Sequence, residues 1–181
     1  MRRSVWSVVP LCCALACQPE ADPLDAFLQE LPPEGGPALA RAGRLTEDNY
    51  VRERIPGPAE QGLPGDYFMA NDRIRVIIQQ PGRAIGPVPY GGNIIDMDFV
   101  DRPQGDQLGE VGLFLLTGRT PSFRTAEIVR DGSAGGPAVL RFRGVDVLDD
   151  YITVQALGPV ASIIADELRA ETELGLRIAV T

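Results

Sequence analysis

The chain of 181 residues contains no histidine and no lysine. All 17 of its basic residues are arginine, its one tryptophan is Trp6, and its three cysteines lie at or before position 17. Without histidine there is no Ser-His-Asp relay, no Cys-His pair, no HExxH zinc motif and no imidazole that titrates near neutrality. Without lysine there is no Schiff-base nucleophile and no phosphate-cradling GK[ST] loop. Of the serines, only Ser122, Ser133 and Ser162 follow residue 17, and none sits in a GxSxG turn. These absences lead to the expectation of a chain that is not an enzyme and carries no cofactor.

What is present begins with an address. Met1-Arg2-Arg3 is a short basic start, and Ser4 to Ala16 is an apolar run, shorter than the roughly 20 residues that span a bilayer. Such a segment reads as a secretion signal. It ends in Ala14-Leu15-Ala16-Cys17, which resembles the lipobox of bacterial lipoproteins: an aliphatic residue, a small residue, then cysteine. The resemblance implies that residues 1–16 form a lipoprotein signal peptide. Cleavage would fall between Ala16 and Cys17, and acyl chains would be placed on Cys17. Ala14 stands where that family most often has leucine, and an ordinary signal peptide cleaved at the same place is the other reading. Gln18 after the cysteine, in place of aspartate, leans within that family toward the outer membrane, on its periplasmic face or at the cell surface.

Since no cysteine lies beyond position 17, no disulfide can form within the folding part. The formal net charge is −8, and loss of Arg2 and Arg3 with a signal peptide would leave the remainder more acidic still. Such a surface repels nucleic acid. Membrane attachment would rest on the acyl chains, each buried CH₂ contributing about 0.8 kcal/mol.

From residue 17 to 65 the composition is rich in Pro, Gly and Glu and reads as a tether, interrupted by a short helix at 23–31. There Leu24, Phe27, Leu28 and Leu31 fall at helical spacing, Pro23 suits the first turn, and Pro32-Pro33 ends it. Beyond it the period changes to two, and residues 66–181 are expected to form a β-sandwich-like domain. Ile74, Val76 and Ile78 should share one face of a strand. Ile95, Met97 and Phe99 should point inward from the next, with Asp96 and Asp98 toward solvent. Val111 to Leu116 is a continuous apolar run. Phe123 to Arg130 and Ala138 to Val145 flank Asp131-Gly132-Ser133-Ala134-Gly135-Gly136 as a hairpin. Tyr151 to Ala156 reads as a strand and Val160 to Asp166 as a short helix. Leu168 to Thr181 then alternates to the last residue, so the domain is expected to be truncated at its C-terminus. The fold class expected is mainly β: an antiparallel β-sandwich or curved sheet with one short helix.

The string Gly65-Asp66-Tyr67-Phe68-Met69-Ala70-Asn71-Asp72-Arg73-Ile74-Arg75-Val76, followed by Pro89-Tyr90-Gly91-Gly92-Asn93-Ile94-Ile95-Asp96-Met97-Asp98, resembles β-rich N-terminal regions of large secreted or lipid-anchored proteins of Gram-negative bacteria. Some of these are likened to the supersandwich of galactose mutarotases, and some continue into metal-dependent hydrolases. The resemblance implies a fold and no catalytic residue, because a mutarotase-like site relies on histidine.

Two groups of residues are candidates for binding. Asp96, Asp98 and Asp101, with Asp106 and Glu110 beyond them, are the carboxylates a hard cation would use. Measured against a calcium loop starting at Asp96, however, Asp101 stands where the turn glycine belongs and Gln107 where the closing glutamate belongs, so a solvated strand face is the stronger expectation. The loop from Gln80 to Gly92 gathers Arg83 and Tyr90 among glycines and prolines, an arrangement open to a polysaccharide ligand. The functions expected are a lipid-anchored scaffold or binding module for an envelope protein partner, a carbohydrate-recognition module, or the non-catalytic front of a larger secreted hydrolase.

Overall fold

The computed structural model describes residues 23–37, 40–86, 90–115, 119–148 and 171–180. The expected signal peptide and Cys17, the strand at 151–156 and the helix at 160–166 lie outside the described residues. The chain divides into two units, Met1–Glu30 and Leu31–Thr181. In the first, helix α1 spans Pro23–Glu30 with Asp25 in its first turn, where a negative charge complements the exposed amides. Among its residues of described burial, Phe27 and Leu28 are half-buried.

The second unit is built from β1 (Arg41–Arg44), a one-turn helix α2 (Tyr50–Glu53), β2 (Tyr67–Ala70), β3 (Ile74–Ile78), β4 (Ile94–Phe99), β5 (Arg119–Arg130), β6 (Ala138–Leu148) and β7 (Thr172–Val180). All pairings among the described strands are antiparallel. They form a four-stranded sheet in the order β1-β2-β3-β4 and a three-stranded sheet in the order β5-β6-β7. The mainly β, two-sheet architecture anticipated from period-two alternation is present.

The inner faces of the two sheets share one core. Tyr67, Met69, Val76 and Ile78 come from the first sheet, and Phe123, Ala138, Leu140 and Phe142 from the second. Phe142 is fully buried and meets Tyr67 edge-on at 5.9 Å and Phe123 at 5.4 Å, the offset geometries aromatic rings prefer. Leu174, Leu176 and Ile178 of β7 pack against the same core, following the alternation read from the sequence.

The first sheet is buried on both faces. Ile77, between two residues that face the shared core, points the other way. It joins Leu45, Ile55 and Ile95 in a second core completed by Tyr50 and Phe68. This places part of the expected tether inside the fold. Residues 41–44 pair with β2 in register, Ala40, Leu45 and Ile55 are buried, and α2 rests on Glu53, a buried carboxylate bonded to Arg41 and Arg52. Proline and glycine content signalled flexible spacing, but here it serves turns that lead buried residues back to the sheet.

The β5–β6 hairpin forms where expected, and its tip docks on the start of the first sheet. Ala42 donates its amide to the Asp131 carbonyl at 3.0 Å, and Gly35 to that of Ala134 at 2.9 Å. Gly132 has φ +85°, and a Cβ there would sit 1.9 Å from the Ala40 carbonyl oxygen. Only glycine permits both the conformation and the approach.

Candidate functional site

Arg83 does not extend into solvent. Its guanidinium pairs with Asp66 through Nη1 and donates from Nη2 to the Gln61 carbonyl at 2.5 Å. Asp66 is fully buried and also accepts the amides of Leu63 (2.9 Å) and Gln80 (3.0 Å). The Gln80–Gly92 loop is therefore fastened at its root by an internal ion pair. Tyr90 is half-buried, and its carbonyl accepts the Gly82 amide at 3.2 Å. Positions 87–89 of the loop lie outside the described residues.

The acidic series differs from the expected solvated face. Asp96 and Asp106 are fully buried and Asp98 is 6% exposed, while Met97 and Phe99 are each 41% exposed. The cause is a β-bulge. Ile77 pairs with Asp96 but Ile78 pairs with Ile94, so Ile95 is an extra residue on β4. One inserted residue reverses the facing of every position after it. Ile95 faces the second core, whereas Met97 and Phe99 emerge on the opposite side, opposite Val76 and Ile74, at the margin of the sheet.

Once turned inward, the carboxylates accept backbone amides. Asp96 takes Gln61 (2.8 Å) and Gly62 (2.9 Å). Asp98 takes Phe99 (2.8 Å), Gln104 (3.0 Å) and Gly105 (3.3 Å), with Arg75 at 3.5 Å. Asp106 takes Met97 (2.9 Å) and Leu108 (3.2 Å). Their environments split them electrostatically. Burial pushes Asp96 up to about 6, reinforced by Asp106 and Glu60 against the pull of the two amides. At Asp98 burial acts in the same sense, but three amides and Arg75 outweigh it and hold the carboxyl below its ordinary value. Glu110 accepts the Asn93 side-chain amide at 2.9 Å, and Asp101 is exposed. No group of three or more His, Cys, Asp or Glu residues placed to hold a metal ion occurs among the described residues.

The same bonds close the outer edge of β4. The outward amide of Ile94 donates to the Val111 carbonyl at 3.3 Å, that of Met97 to Asp106, and that of Phe99 to Asp98. An edge strand with its donors taken is a poor template for a further strand. Beside that edge, apolar side chains are exposed: Met97, Phe99 and Val100, then Val111, Leu113 and Phe114 at 40–52%. The last three belong to the continuous apolar run, Val111 to Leu116, read from the sequence. Among described residues it makes only isolated bridges, Val111 to Ile94 and Leu115 to Arg119. Two shallow clefts adjoin these residues. One of about 320 Å³ is lined by Met97, Phe99 and Leu108, and one of about 360 Å³ by Ile85, Gly112 and Phe114. A third cleft of about 580 Å³ lies at the hairpin tip between Gly43 and Ile128, where Arg130 is paired with Glu34 at 3.2 Å.

The exposed apolar margin was missed in the sequence because Met97 and Phe99 obey perfect alternation with Ile95, and only the pairing register reveals the bulge. Comparison with protein-family models, curated proteins and solved structures finds no match to this chain.

Proposed function

We propose that this protein is a lipid-anchored envelope component, held at the outer membrane through acyl chains on Cys17, whose β-domain binds a partner protein without catalysis. The observation that carries the binding role is the exposed apolar margin of β4, where Met97, Phe99 and the following Val100 are each 41% exposed beside an edge whose amides are already bonded. Soluble proteins rarely leave neighbouring large apolar residues such as Met97 and Phe99, which line one cleft, in water unless something covers them, and with the β4 amides taken, a partner would meet side chains rather than pair as a strand. The carboxylates that a cation or a reaction would require are instead bonded to backbone amides. The commitment of Arg83 to Asp66 favours a protein partner over a saccharide. The anchor rests on Ala14-Leu15-Ala16-Cys17 after the short apolar run.

The test uses the full chain in a Gram-negative host. A photo-crosslinking residue at Met97 should give a discrete adduct in the envelope that is lost in Phe99→Ser, whereas the same probe at Val51, which is 81% exposed on α2, should give none. The intact mass should begin at Cys17 and include the acyl groups. An adduct indifferent to Phe99→Ser removes the binding surface. A mass without acylation removes the anchor, and retention on a polysaccharide column that is lost in Tyr90→Ala would replace the partner protein by a carbohydrate.

A further inference from the structure

The apolar margin of β4 has a rim of charge, and that rim is balanced where the chain is not. Met97, Phe99 and Val100 are exposed, and the first two line a recess with Leu108. Asp101 and Arg102 follow at once in the sequence and are also exposed, the Arg102 guanidinium lying 4.8 Å from the centre of the Phe99 ring. On the β3 side Phe99 stands opposite Ile74, and the Val100 amide donates to the Arg73 carbonyl at 2.8 Å. That bond brings the exposed Asp72 and Arg73 to the same end of the sheet. Carboxylates and guanidiniums are thus equal in number around the patch, in a chain whose formal net charge is −8.

Among the described residues, the side chains of Asp72, Arg73, Asp101 and Arg102 form no ion pair and no hydrogen bond. Other arginines are engaged: Arg54 with Glu60, Arg75 with Asp98, Arg83 with Asp66 and Arg119 with Asp146. A partner surface of one sign would match half of such a rim and set like charges against the other half, which disfavours it strongly. A surface with the same charges in the same order matches the rim when it is turned through half a rotation. Two copies related by a two-fold axis present that surface to each other, the same patch serving on both sides. An axis passing beside residues 101 and 102 sets Asp101 of each copy against Arg102 of the other. The apolar residues then lie at the centre, where interfaces are poor in charge, and the recess of each copy can take an apolar side chain of the other. The remaining negative charge of the two copies is screened beyond about 8 Å at physiological ionic strength.

We propose that the partner covering the margin of β4 is a second copy of this chain, in a two-fold dimer closed by reciprocal Asp101–Arg102 pairs around Met97, Phe99 and Val100. The dimer rests on the reading of that margin as a binding surface and specifies what binds there. Its contacts are made by side chains, since the β4 amides are already bonded.

The experiment expresses the full chain in a Gram-negative host as two copies with different epitope tags, each carrying a photo-crosslinking residue at Met97. The adduct should carry both tags and have twice the mass of the single chain. Arg102→Asp and Asp101→Arg, each expressed without the other, bring like charges together and should lower the adduct about tenfold or more. Expressed together, the two variants offer Asp to Arg at both contacts, so the mixed adduct should return to the parent level, which also shows that both fold. A single chain with both substitutions exchanges the two charges and should restore the adduct as well. An adduct of another mass with one tag would place a different protein on the surface and overturn the dimer while leaving the surface in place. No adduct of any kind would remove the surface and the dimer together. A two-tag adduct indifferent to both single substitutions, or one restored neither by mixing nor by the exchanged chain, overturns the reciprocal pairs.

Discussion

Replacing Arg83 with methionine removes the cation from a carboxylate that no solvent reaches. Removing one partner of a buried pair costs about 3–5 kcal/mol. Two features place the expected loss at the lower end, about 3 kcal/mol: Asp66 retains the Leu63 and Gln80 amides, and the Arg83 side chain is 18% exposed. In a unit of this size each kcal/mol lowers the unfolding midpoint by about 2–4 °C, so Arg83→Met should melt about 6–12 °C below the parent while remaining folded. Urea and thermal unfolding of Arg83→Met, Asp66→Asn and the double variant close a cycle. The double variant should be more stable than the summed single losses imply, by about 1–3 kcal/mol, because the second substitution removes the charge that the first one strands. Additive losses, with a midpoint for Arg83→Met within a degree or two of the parent, would show that Arg83 is an unengaged surface arm, and the ligand role expected of it in the sequence would return.

Gly132→Ala introduces a Cβ 1.9 Å from the Ala40 carbonyl at φ +85°, whereas Gly82→Ala introduces one at φ +77° with nothing within 4 Å. The second should lose about 1–2 kcal/mol from backbone conformation alone, and the first clearly more; equal losses in urea unfolding would mean that the hairpin tip does not press on the first sheet. Asp98, held below the ordinary carboxylate value, contributes stability that is complete above the unfolded pKa of about 4 and is lost as pH falls through its folded value. Acid unfolding followed by circular dichroism should therefore be less steep below about pH 4 in Asp98→Asn, and an unchanged acid limb would remove its amide and Arg75 contacts from the account.

The sequence discloses the strands wherever alternation is undisturbed. Ile74, Val76 and Ile78 share a face, and the β5–β6 hairpin turns at Asp131–Gly136, because side-chain period and turn chemistry are both local. It conceals what depends on pairing. The bulge at Ile95 leaves no trace in composition, so Asp96 and Asp98 look solvated when they are buried acceptors. Residues 40–65 carry tether composition because their buried positions, Ala40, Ala42, Leu45 and Ile55, are too widely spaced to show a period. Arg83 gives the same lesson: its partner Asp66 is 17 positions away, and nothing local distinguishes an internal ion pair from an arm held out to a ligand.

The docking of the hairpin tip on Ala40 and Ala42 bears on the order in which the chain can reach its final form when it emerges N-terminus first. The first sheet has all its strands by residue 99, but the amide of Ala42 finds its acceptor only at Asp131, and Met69, Val76 and Ile78 are covered only when β6 brings Phe142. Until then one face of a formed sheet stands wet and apolar, the kind of intermediate that associates with its neighbours. The cap on the Phe99 amide comes from Asp98 within β4 itself, and that on Met97 from Asp106 nine positions later. Both are in place before any of the second sheet exists, so the growing chain guards the β4 edge during the interval in which its core is still open.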